Sequence, residues 1–279
     1  MLTISENIKT IEELVQQNTP ASLTYASLEC RLTIEQLCYE RLRIAHDYIS
    51  HDDLSKWQPR DIVKTLIQDV DPYITEDMTF SISKNSVDND KNKIPEEIYY
   101  QELGKQIGFN ANLMGKLWNA LANLALHISV PKSKNDNISR YGDTGKIRAK
   151  IEECLIEFRK ISKTTLVVSG FGSEVSFDCI GCDAVNKRKT DTLQNDKRIN
   201  CINPDCIEKY EVKSVDGEFQ FHRCRVKLKC TCENDLLISE NAVMRMKPAT
   251  EGLRIVCSNC EEAFLISWRL YQAVDPEKT

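Results

Sequence analysis

The chain has 279 residues, 41% of them hydrophobic and 28% charged, with a formal net charge of −5, which suits about two soluble domains with packed cores. The negative balance excludes nucleic-acid binding over the whole surface and leaves only a local basic face open to it. No apolar run reaches the length of a membrane span, and the charged N-terminal stretch MLTISENIKTIEELVQQ lacks the apolar centre of an export signal, so a cytoplasmic protein without membrane contact is expected.

Taken in chain order, residues 1–162 read as a helical domain. Leu2 to Gln17 carries helical periodicity, and Leu23 to Ile49 forms a long second segment with Leu28, Leu32, Leu42 and Ile49 on one side. Pro59 opens a helix over Asp61 to Val70, where the missing N–H of a first-turn proline costs nothing. Ile82 to Glu96 is polar and free of aromatics and reads as a loop; Glu97 to Ile107 and Asn110 to Ile128 resume the helical pattern. Pro131 to Asp143 breaks it, and Gly145 to Ser162 is a last, highly charged helix. Cys30, Cys38 and Cys154 fall in these helical patterns as small core residues.

From Lys163 onward the pattern shifts to short β-type runs, Thr164 to Ser169 and Glu174 to Asp178, separated by Gly170 and Gly172. Residues 163–279 are therefore read as a second, small β-rich domain. Nine of the chain's twelve cysteines lie between Cys179 and Cys260. Without an export signal such clustering points to metal rather than to a disulfide scaffold. The pairs Cys179/Cys182 and Cys201/Cys206 form one unit, and Cys230/Cys232 and Cys257/Cys260 another. Two pairs separated by 18 to 24 residues suit one tetrahedral zinc held between two turns, so two structural zinc ions are expected. Gly181 and Asn259, each before the second cysteine of its pair, supply residue types that tolerate left-handed backbone. Cys224 and His222 are spare ligand candidates for Cys230 or Cys232. The two units resemble tandem zinc ribbons. A thiol-exchange protein is a weaker alternative, because four ordered pairs fit metal better.

Between the units, Phe219, Phe221, Arg223, Arg225, Lys227 and Lys229 alternate with Gln220, His222, Cys224, Val226 and Leu228. At a strand's period of two, the first set shares a face that suits stacked bases and phosphates, unless it is an ordinary solvated face. Lys187, Arg188 and Lys189 add a second basic cluster.

The helical half holds one unusual stretch, WNALANLALH, from Trp118 to His127. Asn119, Asn123 and His127 recur every four residues, a step of about 40° on a helix, opposite Leu113, Leu117, Leu121, Leu124 and Ile128. This stretch, together with Arg31 and Glu35 in the helix from Tyr25 to Cys38, resembles the HEPN superfamily of helical nucleotide-binding domains, in particular a bacterial branch of unknown function. The resemblance spans residues 20–130. It implies a dimeric, metal-independent ribonuclease with His127, Asn123, Arg31 and Glu35 as site residues, at home in phage defence or a toxin system. The chain departs from the family pattern at Ala122, where members carry an arginine; Arg31 is the substitute candidate, and Arg41 with His46 has the spacing in another helix. The fold class is accordingly α+β multidomain: an all-α, HEPN-like bundle followed by a β-rich tandem zinc-ribbon domain. Two functions follow: a protein that binds or cleaves RNA, or a non-catalytic zinc-ribbon adaptor that dimerises and binds a protein or nucleic acid.

Overall fold

In the computed structural model the described residues are 4–54, 58–83, 100–128, 130–131, 133–135, 138–167, 172–248 and 250–269. Helices predominate in the N-terminal part and small antiparallel sheets in the C-terminal part, a mixed α+β fold. The chain forms two compact units, Met1–His46 with Leu54–Phe171, and Asp47–Asp53 with Gly172–Thr279. Among the described residues no helix is long and apolar enough to cross a membrane.

The first unit holds α1 (Ile4–Gln17), α2 (Pro20–Ile44), α3 (Pro59–Asp69), the strands β1 (Met78–Ser83) and β2 (Tyr100–Gln106), α4 (Ala111–Leu121) and α5 (Thr144–Ile161). Local chemistry sets the helix starts. Asn18 turns left-handed (φ 50°) to end α1, and Thr19, just ahead of Pro20, and Ser22 in the first turn then cap α2 reciprocally. Asn110 accepts from the Leu113 amide at the start of α4, and Asp143 from that of Lys146 at the start of α5. α2 packs against all four other helices, and its buried side is Leu23, Ala26, Cys30, Ile34, Leu37 and Cys38.

Several expectations are corrected here. Leu28 and Leu32 point outward, with Tyr25, because the core side of α2 runs through Leu23, Ala26, Cys30, Ile34 and Leu37 instead. The helix expected over Glu97 to Ile107 is, over its described part, the strand β2, paired antiparallel with β1 from Met78↔Gln106 to Ser83↔Tyr100. Cross-strand pairing outweighs the local helical pattern. Ile82 and Ser83, expected in a loop, belong to β1; 84–96 lie outside the described residues. Thr164 to Leu166 adopt no regular strand but bond alongside β2, the Thr165 and Leu166 amides donating to the Lys105 carbonyl at 2.9 and 3.2 Å. Gly104 permits this approach, since a Cβ there would lie 2.8 Å from that of Leu166.

The second unit is built of hairpins: β3 (Glu174–Asp178) with β4 (Val185–Lys189); β5 (Arg198–Asn200), β6 (Lys209–Val215) and β7 (Glu218–Arg223) in one sheet; β8 (Arg225–Lys229) with β9 (Asp235–Ser239); and, after the short α6 (Glu240–Met244), β10 (Leu253–Val256) with β11 (Ala263–Ile266). Asp216 and Gly217, both at positive φ, make the tight β6–β7 turn. Asp47–Asp53, from the α2–α3 connection, is built into this unit. Asp53 accepts from Asn200 at 2.5 Å, the Tyr48 hydroxyl donates to Glu174 at 2.9 Å, and Arg245 pairs with Asp52.

Candidate metal centres

Each cysteine pair sits at the closed end of one hairpin. Asp178↔Val185 flanks Cys179 and Cys182, Asn200↔Lys209 flanks Cys201 and Cys206, Lys229↔Asp235 flanks Cys230 and Cys232, and Val256↔Ala263 flanks Cys257 and Cys260. In three of the four, the residue just after the second cysteine turns left-handed: Asp183 (φ 57°), Glu233 (φ 65°) and Glu261 (φ 61°). Their amides close the turn on the first cysteine's carbonyl at 2.8, 2.9 and 2.9 Å. The left-handed residue therefore follows the pair, and Gly181 and Asn259 serve other ends. A Cβ on Gly181 would meet Glu208 Cγ at 2.5 Å, while the Asn259 amide donates to Cys257 Sγ.

The four hairpin ends come together two by two. Cys179, Cys182, Cys201 and Cys206 form one group and Cys230, Cys232, Cys257 and Cys260 a second, with all sulfurs of a group within 4.8 Å of one another. The sulfurs approach at 3.7 Å (Cys179–Cys206), 3.6 Å (Cys182–Cys201), 3.4 Å (Cys230–Cys260) and 3.7 Å (Cys232–Cys257). Zinc–sulfur bonds of about 2.3 Å in a tetrahedron put sulfurs about 3.8 Å apart, so the donor sets fit such an ion closely. Two groups of four cysteines that can hold metal ions are consistent with tandem zinc ribbons. Cys224 and His222 belong to neither group. Cys224 is buried between β7 and β8, and His222 is exposed beside Gln220.

Residues outside the cysteines orient the sulfurs. The Tyr210 hydroxyl donates to Cys179 Sγ at 3.2 Å, and the side-chain amide of the fully buried Asn186 donates to Cys201 Sγ at 3.7 Å. The Glu208 amide donates to Cys206, and Asn234 and Asn259 serve Cys257 and Cys232 from their side chains. Burial pushes the Cys179 thiol up, but Tyr210 and the backbone amides of Gly181 and Cys182 outweigh it and bring it down to about 7. The Cys260 and Asn259 amides bring Cys257 down to about 6. Thiolate, the form that binds metal, is thus favoured at Cys179 and Cys257, while burial pushes Cys201 and Cys206 the other way. Tyr210, Asn186 and Asn234 have no signature in the cysteine spacing.

The face from Phe219 to Lys229 differs from its sequence reading. It is two strands in two sheets, interrupted at Cys224. Phe219 and Phe221 pack into the first unit of cysteines, Phe221 stacking on Phe177 at 4.1 Å. Arg223 and Arg225 both pair with the buried Glu208, at 2.8 and 2.9 Å, and Lys227 and Lys229 both pair with Asp235, at 2.5 and 2.6 Å. Arg188 and Lys189 are buried, Lys189 against Glu174 at 3.2 Å, and Lys187 is half-buried on β4. Each of these six cations has a polar partner in the protein, while the Lys227 and Lys229 side chains stay 58% and 65% exposed.

In the helical unit, Arg31 lies 4.1 Å over the Trp118 ring, whose indole N–H donates to Glu35 at 2.8 Å. Asn119, Asn123 and His127 are all exposed, but not along one regular helix edge. After Leu121 the chain widens into a π turn, Ala122–Leu126, and His127 follows in extended backbone (φ −123°, ψ 135°). Ile128, expected on the apolar side, is exposed. Among the described residues, neither Asn123 nor His127 is bonded to Arg31 or Glu35. Comparison of the chain with protein-family models, curated proteins and solved structures gives no match.

Proposed function

We propose that the protein is a non-catalytic adaptor whose C-terminal unit is a tandem zinc-ribbon module with two structural zinc ions, docking a protein partner. One observation carries the structural-zinc part of this reading: each group offers four convergent thiols, which fills a tetrahedral zinc and leaves no position for a reacting water. Each zinc would then close two hairpins whose own apolar clusters are small. A protein partner is favoured over nucleic acid because Arg223 and Arg225 share Glu208 and Lys227 and Lys229 share Asp235, which halves the charge of that face, while Leu237, Met244, Val256 and Leu265 stand exposed on the second ribbon. A cytoplasmic homodimer remains part of the proposal, supported by the exposed stripe Tyr25, Leu28 and Leu32 on α2.

The test is a photo-crosslinking residue placed at Leu265 in the full, zinc-loaded chain in cells. Protein adducts that vanish when Cys257→Ser removes the second zinc support the adaptor. RNA adducts instead, together with RNA cleavage lost in His127→Ala, would install the ribonuclease reading.

A further inference from the structure

The two cysteine groups are chemically alike but differently enclosed. Cys179, Cys201 and Cys206 are buried, in an apolar cluster with Leu193, Ile199, Tyr210 and Val212. Among the described residues the second group has only Leu236 as a buried apolar companion, with Ile255 and Phe264 partly covering it. Cys260 is exposed and Cys232 half-buried. Cys260 Sγ also makes the shortest sulfur–sulfur approach of the two groups, 3.4 Å to Cys230. The buried tyrosine that donates to Cys179 has no counterpart there; Asn259, which donates to Cys232, is itself exposed.

We propose that Cys260 is an oxidation site: a hydroperoxide joins it to Cys230 and expels the second metal, while the first group keeps its own. The proposal rests on the reading that both groups hold zinc. The step balances. The Cys260 thiolate attacks one peroxide oxygen, the O–O bond breaks, and hydroxide leaves as water after taking a proton, so Cys260 becomes a sulfenic acid. The Cys230 thiolate attacks that sulfur and displaces a second hydroxide, which also leaves as water. In total, two thiolates, one hydrogen peroxide and two protons give one disulfide and two waters. The thiolates lose two electrons to the peroxide, and zinc stays divalent and departs because half its donors are gone.

The geometry makes this reversible. Cys230 lies at the end of the β8–β9 hairpin and Cys260 at the end of β10–β11. A disulfide between them, with sulfurs drawn in to about 2 Å, keeps the two hairpins tied after the metal leaves. A thiol reductant then restores the site for zinc. In the first group Cys179, Cys201 and Cys206 are buried and Cys182 is half-buried, so no sulfur there is open to the oxidant as Cys260 is, and attack needs an accessible thiolate.

The test uses the full chain with its zinc content measured first. Fewer than two zincs at the start would defeat the metal reading, not this inference. Starting from two, a small excess of hydrogen peroxide is added beside a chromogenic zinc chelator, and disulfides are mapped by non-reducing mass spectrometry. Release of one zinc, a Cys230–Cys260 link, unmodified Cys179 to Cys206, and recovery of two zincs after reductant and added zinc are expected. The Cys260→Ser protein should start with its first zinc and lose none to the same dose. Simultaneous release of both, earlier release from the first group, no release, or a Cys232–Cys257 link alone would overturn the proposal.

Discussion

Among the described residues, twenty-two buried residues form one continuous cluster in the helical unit, three of them cysteines, whereas two buried clusters of the strand-rich unit hold seven and three residues, half of them cysteines. The helical unit can therefore stand on apolar burial, at roughly 1.5–3 kcal/mol per large side chain. The other has too little core to close its hairpins unaided, and there a metal does the work of burial. The same residue type thus plays two parts. Cys30 and Cys154 fill space between helices, with the Cys30 thiol pushed far up by its hydrogen bond with Cys154 and by burial, while Cys179 and Cys257 are drawn toward thiolate.

The sharpest way to break this contrast is to take the metal away. A strong chelator should abolish the strand-rich unit's structure and leave the helical circular dichroism nearly intact, since structural zinc contributes roughly 10–16 kcal/mol in small domains. Cooperative loss of both units would deny the division. Next comes Phe158→Ala, which empties a fully buried site on α5 and should cost about 3–5 kcal/mol by chemical denaturation with zinc content unchanged. Zinc loss in that variant would contradict separate stabilisation.

Glu208→Ala should cost less, about 2–3 kcal/mol, measured as a shift of the strand unit's own transition; it strands Arg223 and Arg225, whose partial exposure softens the usual penalty for breaking a buried pair. Tyr210→Phe should cost about 1 kcal/mol and quicken loss of the first metal to a chelator, since one hydrogen bond to Cys179 disappears. The smallest effect belongs to His127→Ala, within about 0.5 kcal/mol because the residue is exposed. A larger destabilisation would give His127 a structural role that its surroundings do not explain.

The cysteine groups were legible in the sequence because metal ligation depends on residue type and pairwise spacing, which the chain displays directly. Most helices were legible for a similar reason, their periodicity and caps being local. What the sequence hid is set by partners far along the chain. Tyr100 to Gln106 carries a helical pattern but meets β1; Arg223 and Arg225 read as part of a basic face until Glu208 pairs with both. Phe221 alternates correctly for a strand, yet which face is buried depends on Phe177. Asp47–Asp53 sits in a connection between helices, and nothing local announces that Asn200 and Arg245 receive it. The π turn at Ala122–Leu126 likewise defeats the four-residue step on which an aligned Asn119, Asn123 and His127 depended.

Zinc stoichiometry with X-ray absorption at the zinc edge tests the central claim most directly. The account predicts two zincs per chain, each bound by four sulfurs at about 2.3 Å. A single zinc, or a first shell containing nitrogen or oxygen, would contradict it.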